Sequence, residues 1–247
     1  MVPESTLENA LWYAFRWDKE ASRRLFDLIM SQDDKDLFEF CKGIFVDCRD
    51  PVLLPKIVSA YSTESNPDRR AMLAHILGGN FESPAAQSVV ENILAGADAR
   101  ILEQVLDRMS LLEIGDRPEL KSRTAVRLRD LVLTGASANI RVRAAEALSG
   151  DFSDEGIRFL IDRTLYDGDP EVQRAALEST PDPQVTRVPL AAERLSAMWT
   201  VALDGSRPRR TRALAAKRVL ETAEAGIGTV TQDQKNTLES LTDLLND

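Results

Sequence analysis

The fold of this chain is decided by residues 138–150, which read Ala138-Asn-Ile-Arg-Val-Arg-Ala-Ala-Glu-Ala-Leu-Ser-Gly150. This run predicts a short helix that ends at its glycine, and related runs occur on both sides of it. Residues 68–79 match it at a constant offset that aligns Arg70 with Arg141. Matches spaced by one or two units of about 30 to 40 residues are typical of stacked helical hairpins. The sequence therefore predicts a helical repeat protein.

Two later segments carry the same theme. Counting the same number of residues forward from Arg141 reaches Arg212, which aligns with it. Residues 169–177 repeat the Arg-Ala-Ala element about one hairpin after residues 138–150. Alanine at a helix contact allows the two axes to approach to about 8 to 10 Å. We therefore expect the repeated alanines, Ala145 among them, to face a neighbouring helix.

This pattern resembles HEAT-like repeats, whose first helices carry a Val-Arg-x-x-Ala-Ala-x-Ala-Leu-Gly theme after an Asp-Pro or similar start. Residues 138–150 and 169–177 fit the theme best, and residues 68–79 and 207–220 fit it loosely. The resemblance implies an all-α fold, a right-handed α-α superhelix of about seven HEAT-like helical hairpins. It also implies architectural roles for Arg70, Arg141 and Arg212, as the repeat arginines that bond a neighbouring repeat.

Composition agrees with one continuous solenoid domain over residues 1–247, with residues 1–63 and 179–189 the least regular. The chain is 43% apolar but only 6% aromatic, which argues against a β-sandwich. No Gly/Ser-rich or Pro-rich linker separates two cores. No apolar run reaches the ~18 residues that span a bilayer, and the first residues lack a secretion signal. We expect a cytoplasmic protein with no membrane partner.

Helix period and capping residues predict the following elements. The helices are expected near 5–15, 18–31, 34–47, 51–63, 67–78, 83–95, 98–112, 118–134, 138–149, 153–166, from Asp169-Pro170 onward, 189–203, 208–224 and 231–245. Thr231 and Gln234 form a predicted capping box at the start of the last one.

Charge is unevenly distributed along the chain, whose formal net charge is -9. Residues 1–116 hold 12 basic and 20 acidic side chains, whereas residues 117–247 hold 19 and 20. This acidity opposes binding to a polyanion. It favours a protein partner with basic and apolar patches over a nucleic acid.

Basic residues of the later repeats predict a partner-binding site. Arginines on neighbouring helices can hold carboxylates or phosphates by forked hydrogen bonds. The candidates are Arg123, Arg127, Arg158, Arg194, Arg207, Arg209 and Arg210. The last three could equally form a solvated helix start, although positive charge there opposes the helix dipole.

A second candidate surface lies near the N-terminus. Trp12, Tyr13 and Trp17 are either a lid over the terminal core or anchors for a partner, because Trp and Tyr are enriched at binding hot spots. Asp34 and Asp36 could meet a basic partner, or could simply be solvated acids that suit a helix start.

The sequence offers no catalytic motif: it has no nucleophile elbow, no phosphate-binding glycine loop and no His-Glu-x-x-His. His75 is the single histidine, and Cys41 and Cys48 are predicted to be reduced. These residues do not make up a conventional zinc-binding set, and we expect no cofactor. We therefore predict a non-enzymatic protein-binding scaffold, adaptor or inhibitor. The alternative is a HEAT-like nucleic-acid-binding protein, alkylpurine DNA glycosylase-like, with Trp199 and Asp204 as its nearest candidates. A bilin-lyase-like role has no motif here.

Overall fold

The described part of the chain is all-helical. A computed structural model describes residues 18–32, 34–46, 48, 50–96, 98–181, 188–224, 226 and 229–243, and no β-strand occurs among them. None of its helices is long and apolar enough to cross a membrane. The chain divides into two compact units, Met1–Asp116 and Arg117–Asp247. The boundary between the units coincides with the change in charge balance along the sequence.

Six α-helices and a short 3-10 turn form the described first unit. They are α1 Lys19–Ser31, α2 Lys35–Phe45, α3 Leu53–Thr63, α4 Pro67–Gly79, α5 Pro84–Gly96, α6 Ala99–Leu106 and the turn Leu111–Ile114. The helix starts follow the sequence, because Asp18, Asp34 and Asn66 each accept two backbone N–H bonds at the start of a helix. At Asn66 the cap is followed directly by Pro67, which suits the first position of a helix because its missing N–H is not needed there.

Helix α4 lies at the centre of the first unit. It packs against α2, α3, α5 and α6, and every residue from Ala71 to Gly78 is buried. A side chain at Gly78 would meet the backbone oxygen of Val105 at 2.5 Å, so this glycine is needed for the close approach of α4 and α6. The core of this unit is therefore built around the buried segment 71–78 of α4.

Seven α-helices form the described second unit. They are α7 Pro118–Thr134, α8 Ala138–Ala147, α9 Asp154–Tyr166, α10 Pro170–Ser179, α11 Val188–Leu203, α12 Arg209–Glu224 and α13 Gln232–Thr242. Helices α8, α10 and α12 pack one after another, while α7, α9 and α11 pack against them as hairpin partners. Ala145 is fully buried, as expected of a repeat alanine at a helix contact. The hairpins of this unit thus pack against their neighbours.

Most predicted helices are confirmed within one or two residues, and one differs. The helix expected over 98–112 ends at Leu106, and Ser110 then caps a separate 3-10 turn. The capping box of Thr231 and Gln234 is confirmed. The helix expected near 5–15 lies outside the described residues. A continuous superhelix over one domain stays a prediction.

Candidate functional site

Two repeat arginines hold the second unit together. Arg141 donates from Nε to the Val132 carbonyl at 3.0 Å and pairs with the buried carboxylate of Asp167. Arg212 makes the equivalent bond to the Ala202 carbonyl at 3.1 Å. Both arginines therefore bond the last turn of the preceding helix, which confirms their predicted architectural role. Arg70 of the first unit lies instead 5.1 Å from the centre of the Tyr61 ring.

Arg207, a predicted partner-binding residue, is also used internally. Its guanidinium donates to the carbonyls of Thr164 and Leu165 at 2.8 and 2.6 Å, and to Gln173 Oε1 at 2.8 Å. Nε pairs with Asp204 at 3.0 Å. These bonds tie the end of α9 to the end of α11, and a partner-binding role for Arg207 stays a prediction.

These contacts link the ends of α7, α9 and α11 through Arg141 and Arg207. Arg141 reaches the last turn of α7 and the residue after α9, and Arg207 reaches the last turn of α9 and the residue after α11. Each of these helix ends carries a large apolar side chain in solvent. Leu133, Tyr166 and Leu203 are 55%, 73% and 48% exposed. We call these three residues the apolar row.

Further apolar side chains extend this surface toward the middle of the same helices. Val126 is exposed on α7, two turns before Leu133, while Phe159 and Trp199 are half-buried on α9 and α11. Arg129 pairs with Glu155 at 2.9 Å and Arg158 with Glu193 at 3.5 Å, so ion pairs join α7 to α9 and α9 to α11. Helix α11 also packs directly against α9.

Each member of the apolar row has a carboxylate beside it. Asp130 and Asp162 lie one turn before Leu133 and Tyr166, and Asp204 follows Leu203 directly. Hydrogen bonds from Ser206 and then Arg207 hold the pKa of Asp204 below its usual range, so this group stays ionised. Its side chain is 37% exposed against 12% for Arg207. The carboxylate of this pair therefore faces solvent more than the guanidinium does.

The other predicted arginines divide between surface and core. Arg123, Arg209 and Arg210 are exposed, and Arg127 is half-buried and pairs with Asp130. Arg194 is only 1% exposed. Arg194 therefore belongs to the interior, whereas Arg158 pairs with Glu193 of α11. Partner binding by these arginines stays a prediction.

The acidic candidates of the first unit behave as helix caps and solvated acids. Asp34 accepts hydrogen bonds from the backbone N–H groups of Asp36 and Leu37 at 3.0 and 3.1 Å, and both aspartates are exposed. These contacts match the expectation of acids that suit a helix start. Trp12, Tyr13 and Trp17 lie outside the described residues.

The single histidine and Cys41 are both buried. Burial lowers the pKa of His75 to about 4, and its Nδ1 lies 3.6 Å from the carboxylate of Asp107. Burial likewise raises the pKa of the Cys41 thiol to about 12. Within the described ranges, no group of three His, Cys, Asp or Glu side chains could hold a metal ion. Trp199 packs against the core cluster that contains Met198.

Comparison with known proteins gives no assignment: no protein-family model matches this chain, and neither does any curated protein. Function is therefore inferred from the exposure and the contacts of the residues in the second unit. The sequence prediction missed the apolar row, although a signal for it exists. Each member stands two residues before a loop glycine, Gly135, Gly168 or Gly205.

Proposed function

We propose that this chain is a HEAT-like repeat protein that acts without catalysis, as a scaffold, adaptor or inhibitor, by binding a partner protein at the apolar row. One observation carries the proposal: three helices of the second unit, linked at their ends by Arg141 and Arg207, each expose a large apolar side chain just before the loop into the next helix. Scattered single apolar residues are normal on a protein surface, whereas contiguous exposed ones mark interaction sites.

The chemistry of the apolar row suits protein recognition. Tyr166 is its most exposed member, and tyrosine is enriched among the few residues that dominate binding energy. The backbone beneath the row is fixed by Arg141 and Arg207, so little ordering is required when a partner binds. A surface that is ordered before binding loses less conformational entropy in the complex.

The alternative function is that of a DNA glycosylase, with Trp199 and Asp204 as its nearest candidate residues. The contacts of these two residues favour a binding role over base excision. Trp199 is half-buried against the core, and Asp204 accepts hydrogen bonds from the backbone N–H and the hydroxyl of Ser206 as well as from Arg207. A carboxylate held by these three bonds serves as a cap of the loop after α11. The two side chains therefore do not form an exposed pair that could receive a flipped base.

The proposal is tested by affinity capture from an extract of the source organism, followed by quantitative mass spectrometry. The bait is the whole chain, either unchanged or with all three members of the apolar row, Leu133, Tyr166 and Leu203, replaced by serine. A matched control replaces three equally exposed apolar residues of the first unit, Leu28, Val52 and Leu112, by serine. Circular dichroism first establishes that all baits keep their helix content.

We expect at least one protein to be retained by the unchanged chain and by the control, and to fall about tenfold or more with the row variant, which is the loss that a hot-spot residue causes. If every retained protein survives the row substitutions, the apolar row does not bind a partner and the proposal is overturned.

A further inference from the structure

We propose that helix α13 is a lid over an apolar groove of the second unit, and that an amphipathic helix of a partner protein, with leucines three residues apart, takes its place. The groove is a second binding site, different from the apolar row. This inference does not rest on the proposed function, because it follows from the contacts of α13 alone.

Helix α13 is the least buried helix of the described second unit. Only Leu238 is buried, Leu241 is half-buried, and the outer side of the helix is polar and exposed. Helix α12, against which α13 packs, buries six residues. A helix with few buried apolar contacts opens locally before the rest of a protein unfolds. Helix α13 is therefore expected to open ahead of its neighbours.

Among the described residues, no polar side-chain bond joins α13 to another helix. Its side-chain hydrogen bonds, and the ion pair of Lys235 with Glu239, all lie within the helix and its cap Thr231. The preceding helix differs, because Arg212 of α12 bonds the Ala202 carbonyl of α11. Helix α13 is thus held in place by apolar contacts, and its own bonds stay intact when it leaves.

The groove beneath α13 is apolar. Leu238 belongs to one cluster with buried residues of three other helices, and Val230 and Leu241 pack against the same cluster. The buried members are Leu177 of α10, Met198, Val201 and Ala202 of α11, and Ala215, Ala216 and Val219 of α12. Opening of α13 leaves the place of Leu238 to water, which favours its occupation by another apolar side chain.

The chemistry of α13 specifies the helix that competes with it. Leu238 and Leu241 are three residues apart and therefore lie on one face of the helix. The charged side chains of α13, Asp233, Lys235 and Glu239, are all exposed. The groove therefore selects the spacing of the leucines and not a pattern of charge. A partner helix with leucine at positions i and i+3 fits this mode of recognition, in which an amphipathic helix lies in an apolar groove.

Hydrogen exchange of the whole protein, followed by mass spectrometry and corrected for intrinsic rates, tests the lid. We expect the amides of α13 to exchange at least about tenfold faster than those of α12. Thr231→Ala removes the side-chain cap of α13 and should speed the exchange of this helix by about a further tenfold. The matched control is Thr237→Ala, the same substitution at an exposed position inside α13, which should not speed it.

A fluorescent peptide with the sequence of residues 230–243 represents the partner helix, and fluorescence anisotropy gives its Kd. In the unchanged protein α13 competes with the peptide at high effective concentration, so binding should be weak. Leu238→Ser in the protein empties the groove and should lower the Kd of the peptide at least about tenfold. Thr231→Ala should lower it without changing the groove. Circular dichroism establishes that both variants keep the other helices.

Two further comparisons show where the peptide binds. A peptide with serine in place of both leucines should not bind any of the proteins. Tyr166→Ser, which changes the apolar row, should leave the Kd of the leucine peptide unaltered when it is combined with Leu238→Ser. A large loss from Tyr166→Ser would place the peptide on the apolar row and overturn the groove as its site.

Three other results would also overturn the inference. Exchange of α13 and α12 at the same rate would show that the two helices open together. An equal Kd of the peptide for the unchanged protein, Leu238→Ser and Thr231→Ala would show that α13 covers no binding site. A dimer of the unchanged protein that Leu238→Ser abolishes, measured by analytical ultracentrifugation, would assign the groove to α13 of a second copy and not to a partner protein.

Discussion

Arg141 joins two helix ends of the second unit through one guanidinium. It bonds the Val132 carbonyl and pairs with Asp167, whose side chain is buried. Arg141→Ala leaves this carboxylate in the interior with Arg163 as its remaining cation, 3.7 Å away. Removal of one partner of a buried ion pair costs about 3 to 5 kcal/mol. Because Arg163 remains, we expect a loss of about 3 kcal/mol in the free energy of unfolding, measured by urea denaturation.

The matched control for this change is Arg158→Ala. Arg158 pairs with Glu193 across two helices of the same unit, but both side chains are about half exposed to solvent. Exposed pairs contribute about 0 to 1 kcal/mol. Equal losses in the two variants would contradict the architectural role of Arg141.

His75 makes the first unit sensitive to acid. Burial lowers its pKa to about 4, with Lys42 and Arg108 adding to the decrease and Asp107 and Glu39 opposing it. In the unfolded chain the pKa is about 6.5. The unfolded state therefore binds the proton more readily, so the contribution of His75 to stability is complete above about pH 6.5 and is lost as the pH falls toward about 4.

The prediction is that the free energy of unfolding falls more steeply between about pH 6.5 and 4 in the unchanged protein than in His75→Gln, by up to about 1.4 kcal/mol per pH unit. Urea denaturation at a series of pH values measures both slopes. The titration of carboxylates is common to the two proteins and cancels in the difference. Parallel pH profiles would show that His75 titrates normally in the folded protein.

At the scale of helices, replacing either of two glycines of the first unit by alanine should change the stability of the protein, in opposite directions at the two positions. A methyl group at Gly78 of α4 meets the Val105 backbone oxygen at 2.5 Å, so Gly78→Ala must push α4 and α6 apart. Such overpacking costs about 1 to 3 kcal/mol. A methyl group at Gly43 of α2 meets nothing within 4 Å. Gly43→Ala should therefore stabilise the protein by about 0.5 to 1 kcal/mol, through the better helix propensity of alanine.

Thermal unfolding followed by circular dichroism compares the two variants, with a lower Tm expected for Gly78→Ala and a higher Tm for Gly43→Ala. Two decreases of equal size would mean that the helix contact at Gly78 is not as close as described.

The helices could be predicted from the sequence because their ends carry local chemistry. The Asn66 side chain accepts the first N–H groups of its helix, in which Pro67 has no N–H to satisfy. Thr231 and Gln234 cap their helix reciprocally. These bonds are local and form regardless of the rest of the fold. The stop at Leu106 could not be predicted in this way. The sequence has no glycine or proline there, and the turn that follows depends on the Ser110 cap and on burial of Leu111 and Ile114.

The candidate site was harder to predict than the helices, because the environment of a side chain depends on which helices pack together. Arg207 and Arg209 look equivalent in the sequence, yet one bonds the end of α9 and the other is exposed. Leu133 and Leu131 are likewise both leucines of one helix, and only Leu133 is in solvent. An amphipathic pattern locates the buried face of a helix, but it does not show which apolar residues at the edge of that face lie outside the helix contacts.

At the scale of the whole molecule, the distribution of charge bears on the choice between protein and nucleic acid as partner. The first unit carries 12 basic and 20 acidic residues, and the second is almost balanced, with 19 and 20. In the second unit, many of the arginines are held in ion pairs or by carbonyls. Both units thus offer little uncompensated positive charge to a phosphate backbone.

We therefore expect no retention of duplex DNA at physiological salt, measured by the anisotropy of a labelled duplex over a range of salt concentrations. Binding to DNA releases counterions, so the logarithm of its affinity falls with the logarithm of salt by about 0.9 for each phosphate neutralised.

Arg209 and Arg210 are exposed at the start of α12 and are the cations best placed for such contacts. If DNA does bind, and Arg209→Glu with Arg210→Glu lowers the salt slope by about 2, phosphate recognition at the start of α12 would replace the protein-binding role. Weak binding with a slope that this double variant leaves unchanged would instead be non-specific, and the apolar row would remain the site to test.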